Sequence, residues 1–301
     1  MTSSSDAILT IKGLNMQFGG IKALENIDFQ VPRGSITALI GPNGAGKTTV
    51  FNCLTGFYRA TSGKIELNAH KTKTSVTSVL GESFKASDLW QPVRFGRRLY
   101  YKLFGGSHQV NRAGLARTFQ NIRLFKEMTA LENLLVAQHM QLNRSFLAGI
   151  INTRSFQKSE ENALNKAWYW LEQLDLINEG NQLAGQLPYG KQRRLEIARA
   201  LCTNPELLCL DEPAAGLNPQ ETAELAKTLN TLRSEHKLTI LLIEHDMGMV
   251  MKISSQIVVL DHGLVIARGS PDQIKNDPAV ISAYLGTEEE TGVPEHEPAL
   301  A

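Results

Sequence analysis

Eight consecutive residues, Gly41-Pro42-Asn43-Gly44-Ala45-Gly46-Lys47-Thr48, carry the spacing G-x-x-x-x-G-K-[ST] between a short apolar run and a helical stretch. Its glycines let successive backbone N–H groups turn inward around an anion, and the following helix presents its positive end to the same point. A lysine at this place reaches the β- and γ-oxygens of a nucleoside triphosphate, and a threonine hydroxyl can ligate the accompanying Mg²⁺. The chemistry implied is the gripping of a triphosphate by one short loop. From average composition such a match arises by chance in roughly one chain in a hundred, and the flanking strand and helix lower that further.

A second constellation follows the apolar run Leu207-Leu208-Cys209-Leu210, which leads directly into Asp211-Glu212. Ligands of open α/β sheets gather at the carboxyl ends of the strands. Asp211, at the strand end, suits a metal held through its water shell, while Glu212 projects onward and suits orienting or deprotonating an attacking water. Alone, an Asp-Glu pair more often opens a solvated turn. Beside a phosphate loop, the two acids point to in-line attack of water on a terminal phosphate.

These residues need elements that bring them together. Ile36 to Ile40 is a short apolar run bounded by Gly41 and reads as a central parallel strand, and Leu207 to Leu210 and Thr239 to Ile243 read as strands covered on both faces. Ile27, Phe29 and Val31 alternate as a half-buried strand does. Leu225, Leu229 and Leu232 after Asn218-Pro219, and Leu164, Trp168, Leu171 and Leu174, recur at helical spacing, with a mostly helical block from about Met128 to Asn204. Ile257 to Leu260 and Leu264 to Ala267 flank Asp261-His262-Gly263, a hairpin signal, and Ser270-Pro271 and Asp277-Pro278 each open a short helix. Beyond Gly286 the segment is acidic and poor in apolar residues, which predicts a disordered tail over 287–301.

Composition narrows the partners. The chain has 301 residues, 42% hydrophobic, and a formal net charge of +1, so nothing in its balance suggests nucleic acid as a partner. Its three cysteines, Cys53, Cys202 and Cys209, are scattered, which suits packing in a reducing compartment rather than a disulfide framework. There is neither a signal-like N-terminus nor a run of about 18 apolar residues, so the expectation is a chain neither secreted nor membrane-spanning.

With Gln120 in Arg117-Thr118-Phe119-Gln120, His245 in Ile243-Glu244-His245-Asp246, and Leu187-Pro188-Tyr189-Gly190-Lys191-Gln192 before a helix, the order of motifs resembles the ATP-binding cassette ATPases from about Ile8 to Gly286. The resemblance implies an α/β P-loop NTPase fold. It has a RecA-like parallel-sheet core, an antiparallel β subdomain, a helical signature subdomain at about 115–204, and C-terminal hairpin and helices at about 256–286. It implies ATP and Mg²⁺ as cofactors, with Lys47, Glu212 and His245 catalytic, Phe18 stacked on the adenine, and Thr49 and Gln120 joining residues 41–48 around the nucleotide. Thr48, Asp211 and Gln120 would serve the metal, and His245 would contact the γ-phosphate. The wording of 41–58, 117–139, 193–201, 211–219 and 241–247 is similar to ATP-binding subunits of branched-chain amino acid importers. That implies a peripheral protein on the cytoplasmic face of the inner membrane, with two membrane permeases, a periplasmic substrate-binding protein and a second ATPase subunit. The alternatives are another transporter's ATPase, for urea, a different amino acid or lipid export, and a non-transport nucleotide-dependent scaffold.

Two departures bear on assembly. Most cassettes carry Leu-Ser-Gly-Gly-Gln as a signature that caps the γ-phosphate bound by the opposite subunit, and here Pro188, Tyr189 and Lys191 replace three of the five. Proline has neither hydroxyl nor N–H, which predicts a heterodimer whose reciprocal site is the weaker, with Lys191 compensating in part through charge. Asn218 also stands where many cassettes have Asp. Finally, about 69–113 reads as a long insertion. It carries Lys71, Lys73, Lys85, Arg94, Arg97, Arg98, Lys102 and Arg112, interleaved with Trp90, Phe95, Tyr100, Tyr101 and Phe104. Contact with anionic lipid or the membrane partner is one reading, and a solvated insertion is the favoured one.

Overall fold

The computed structural model describes residues 6–80, 106–139 and 153–290, with side chains to residue 284. From the N-terminus, β1 (Ala7–Phe18) and β2 (Ile21–Pro32) make a long hairpin, followed by β3 (Ile36–Ile40), α1 (Lys47–Leu54), β4 (Ser62–Ala69), β5 (Thr72–Ser75) and α2 (Val76–Val79). Then come α3 (Ser107–Arg112), β6 (Leu115–Arg117), α4 (Ala130–Ala137), α5 (Arg154–Gln173), α6 (Tyr189–Leu201) and β7 (Leu207–Asp211). The chain continues through α7 (Pro219–Glu235), β8 (Thr239–Ile243), α8 (Met247–Ile253), β9 (Gln256–Asp261), β10 (Leu264–Gly269), α9 (Pro271–Lys275) and α10 (Pro278–Glu290).

Two sheets result. One is antiparallel in the order β2-β1-β4-β5, and the other runs β10-β9-β3-β8-β7-β6, parallel except for β10. Every residue of β3, β7 and β8 is buried, as unbroken apolar runs require when both faces are covered. The register carries the functional consequence. Leu39 and Asp211 both pair with Ile243, so Gly41, Glu212 and Glu244 emerge at one edge of the sheet. Arg117 pairs with Cys209, which sends Thr118–Gln120 past the same edge.

Local chemistry explains the connections. The β9–β10 hairpin turns through His262 (φ 44°) and Gly263 (φ 77°), the doubly left-handed conformation of a type I′ turn. Helices α7 and α9 each begin with proline behind a capping box, Asn218 with Glu221 and Ser270 with Gln273. In α5 the helix stands where its spacing predicts, but the inward face is Ala163, Ala167 and Leu171, while Leu164 is exposed. A small-residue face brings α5 close to the domain, and the larger Leu164 is left outside. Helix α10 runs past Gly286 to Glu290, so the first residues of the predicted disordered tail are helical. A single glycine costs a helix only about 1 kcal/mol, and glutamate favours it. The rest of that tail, 291–301, lies outside the described residues.

The predicted insertion begins inside the antiparallel sheet. Lys73 lies on β5 and pairs with Glu66 of β4 at 2.9 Å, and α3 closes the segment. The basic and aromatic residues from Lys85 to Phe104 lie outside the described residues. Among the described residues no helix is long and apolar enough to cross a membrane.

Candidate functional site

The loop between β3 and α1 is shaped by two glycines that tolerate no substitute. At Gly41 (φ 148°) a Cβ would lie 2.0 Å from the Leu260 carbonyl oxygen, and at Gly46 (φ 98°), the N-cap of α1, it would lie 2.8 Å from Leu24 Cδ2. The loop is thereby pressed against β9 and β2, and Gly263 of the hairpin donates its N–H to Ala45 O at 3.1 Å. A cavity of about 210 Å³ opens above it, lined by Asn43 to Thr49, Glu212 and His245.

Lys47 is buried and donates from Nζ to Gly41 O (2.8 Å) and Pro42 O (2.9 Å). Burial pushes its pKa down, and the nearby carboxylates of Glu212 and Asp211 act against that shift. The ammonium is thus folded onto its own loop, beside both acids.

Glu212 sits in the left-handed region (φ 48°), a conformation that costs a non-glycine residue about 1–3 kcal/mol and clusters at functional sites. The kink at the end of β7 is held by the Glu212 N–H donating to Ile243 O at 2.9 Å. The carboxylate is fixed from two sides: Gln120 Nε2 donates to Oε2 at 2.7 Å, and His245 Nε2 lies 3.0 Å from Oε1. Gln120, His245 and Glu212 therefore converge, and the last two line the cavity. Phe18 does not line it. That ring is exposed and packs edge-on against Tyr58 at 5.2 Å between centroids.

Asp211 is buried, and its Oδ2 receives Arg117 Nη2 at 2.6 Å. The guanidinium also donates from Nη1 to Asn52 Oδ1 (2.7 Å) and Thr55 Oγ1 (3.1 Å), and it lies 5.2–5.7 Å from the ring centroids of Phe51, Phe57 and Phe119. Glu244 accepts from the Ala214 N–H (2.6 Å) and the His245 N–H (3.0 Å), tying the strand ends of β7 and β8 together. Burial pushes its carboxyl pKa up, and those backbone donors pull it back.

The signature residues are elsewhere, at the start of α6. Pro188 is the N-cap of α6 and caps with no side-chain hydrogen bond, while Gln192 Nε2 donates back to Leu187 O at 2.7 Å. Lys191 is hydrogen-bonded to Glu179, so the charge expected to compensate for the missing serine is balanced inside the chain. Gly190 is packed so tightly that a Cβ would meet Glu221 Oε1 at 2.6 Å. Tyr189 is 45% exposed, and its ring lies against Gly216, where an added Cβ would come within 3.1 Å of Tyr189 Cε1. Asn218 is the helix cap of α7, a role its side-chain oxygen fills without a charge.

Four polar residues support the site with no local pattern to announce them: Arg117, Glu244, and the pair Arg193–Glu196 of α6. A basic residue three positions before Gln120, on the strand beside β7, was the one available signal for Arg117.

A glycine-shaped phosphate loop facing two strand-end carboxylates on a mostly parallel sheet defines a nucleoside triphosphatase of the phosphate-loop class. The profile described as ABC transporter matches residues 24–215, and that of the branched-chain amino acid ATP-binding cassette transporter matches residues 265–290. The chain belongs to the ATP-binding cassette ATPases of ABC transporters. The high-affinity branched-chain amino acid transport ATP-binding protein BraF of Pseudomonas aeruginosa is 49% identical over 282 residues, 94% of this chain and 99% of that one. LivG of Escherichia coli, described in the same words, is 48% identical over the same shares. The ADP conformation of an ATP-binding cassette of an ABC transporter superimposes with a TM-score of 0.70 at 30% identity, covering 93% of this chain and 99% of that one. A nucleotide-free ABC transporter cassette gives 0.69 at 31%, covering 92% and 98%.

Proposed function

We propose that this ATPase drives a branched-chain amino acid importer, hydrolysing Mg-ATP through Lys47, Glu212 and His245. The observation that carries the catalytic reading is the Glu212 carboxylate, fixed at the mouth of the phosphate cavity between Gln120 (2.7 Å) and His245 (3.0 Å). In this reading Lys47 exchanges the carbonyls of Gly41 and Pro42 for the β- and γ-oxygens, which costs little because both environments satisfy a cation. The N–H groups of 43–49 hold the phosphates, Phe18 stacks on the base, and Glu212 orients the attacking water.

The hydroxyl of Thr48, the Asp211 carboxylate and the Gln120 side-chain oxygen are hard-oxygen donors of the kind that would hold Mg²⁺. When bound, the ion would supply neutralisation of the triphosphate's negative charge. Asp211 Oδ1 is not bonded to Arg117 and would be the oxygen of this residue that serves the ion.

Phosphate contacts made only in the closed dimer supply the differential affinity that favours closure, and hydrolysis releases it. The partners are a second ATPase subunit, two permeases and a periplasmic binding protein, with this chain on the cytoplasmic face of the inner membrane. Identity near one half to importer subunits over 94% of the chain, and the match of the branched-chain profile to β10 through α10, support the solute class. Leucine, isoleucine and valine uptake by the purified, reconstituted complex tests it. ATP-dependent uptake of these three should be lost with Glu212→Gln, and a complex that hydrolyses ATP but moves none of them overturns the solute assignment.

A further inference from the structure

We propose that Tyr189 and Arg193 form a hydrogen-bonded line that positions Gln120 and, through it, the Glu212 carboxylate. The start of α6 thereby sets the chain's own hydrolytic centre. This rests on the reading of Glu212 given above.

Arg193 is fully buried, and its terminal nitrogens reach four acceptors: Phe119 O (2.8 Å), Gln120 O (2.8 Å), Glu196 Oε2 (2.9 Å) and Tyr189 Oη (3.1 Å). Glu196, one turn further along α6, accepts from the N–H groups of Phe119 (3.4 Å) and Arg123 (3.2 Å). One ion pair therefore grips the loop 119–123 through both its carbonyls and its amides. Charge-assisted hydrogen bonds are roughly twice as strong as neutral ones, so the backbone of Gln120 cannot shift against α6 without breaking several.

Such a buried pair is a poor way to gain stability, because desolvation offsets the attraction and an apolar pair of the same volume serves as well. What it does supply is a defined loop position. From that backbone the Gln120 side chain reaches Glu212 Oε2 at 2.7 Å. The line thus runs from Tyr189 Oη through Arg193 Nη2 to Gln120 O, and from Gln120 Nε2 to Glu212.

Tyr189 is its exposed end. The ring lies over Gly216 in the loop before α7, and the hydroxyl takes one of the Arg193 N–H groups. The commoner Leu-Ser-Gly-Gly-Gln signature has glycine at this place, which offers no acceptor, so the connection is a property of the substituted signature. Whatever presses on Tyr189 in the assembled dimer displaces an acceptor from a buried guanidinium whose two terminal nitrogens are both bonded, and the loop holding Gln120 must respond.

Tyr189→Phe is the mildest test, since it removes one oxygen and keeps the ring. In the nucleotide-free full chain, hydrogen exchange at the amides of Phe119 and Arg123 should quicken about fivefold, the worth of one hydrogen bond near 1 kcal/mol, while exchange in loops remote from α6 stays as it was. In the assembled transporter, Tyr189→Phe should slow ATP turnover about fivefold. The double variant with Gln120→Ala should be no slower than Gln120→Ala alone, as expected for residues on one line. Unchanged exchange at these two amides, an equal quickening in loops remote from α6, or multiplicative losses would each overturn the line. Arg193→Met with Glu196→Met, which removes both charges together, should free the loop in the same way and overturns the proposal if exchange there stays slow. A wild-type complex that hydrolyses nothing would instead refute the reading of Glu212, and the exchange result would still decide the line.

Discussion

The phosphate loop and the signature segment are both turns leading into a helix N-terminus, yet they are built in opposite ways. At 41–48 the working groups are backbone N–H donors and one lysine, and both acids that complete the site come from the same chain. At 187–192 the helix start has a proline cap with no side-chain bond, its lysine is bonded to Glu179, and its tyrosine to Arg193. In the first, the phosphate loop and the acids facing it all come from one chain. In the second, the lysine and tyrosine side chains are bonded within the chain, and under the proposed dimer the segment is half a site.

That contrast can be broken at several points. The largest effect is expected from Glu212→Gln, which should leave nucleotide affinity within about threefold and cut turnover about a thousandfold, in the range for losing a general base. Phosphate release with parallel equilibrium binding reads both, and retained hydrolysis would remove Glu212 from its role. Lys47→Ala should weaken nucleotide binding about a hundredfold, since two charge-assisted bonds are lost; calorimetric titration on the isolated chain is sufficient.

The comparison sharpens in the assembled complex. Under the proposed heterodimer with a serine-bearing partner signature, Glu212→Gln here should depress total ATPase activity about tenfold more than the matching change in the partner ATPase. Equal losses would show that the Pro188 substitution is functionally silent. The smallest effect belongs to Lys191→Ala. The ammonium is 39% exposed and its partner Glu179 is 13% exposed, so urea unfolding should register about 0.5 kcal/mol. A loss above about 2 kcal/mol would mean that the signature lysine is structural rather than waiting.

The parts of the fold that were legible share one feature: their cause is local. Gly41 and Gly46 declare backbone shapes that only glycine adopts, the buried strands declare themselves as unbroken apolar runs, and Asp261-His262-Gly263 declares its turn. Where the reading failed, the cause lay at a distance. Leu164 recurs at helical spacing yet is exposed, because spacing fixes a stripe only to within a residue and the close approach of the alanine face buries its neighbour Ala163. The predicted tail boundary at Gly286 fell inside α10, because weak helix propensity at one position does not outweigh a continuing helix.

From the residue string alone came the triphosphate loop, the two strand-end acids, and the alternation of strands and helices that must bring them to one sheet edge, since backbone conformation and periodic burial are set by near neighbours. Only the folded chain decided that Arg117 neutralises Asp211, that Gln120 and His245 hold Glu212 between them, and that Arg193 on α6 grips a loop more than seventy residues earlier. Those pairings each join a charged side chain to a polar group far away in sequence, and their selection depends on which groups come together once packing is complete.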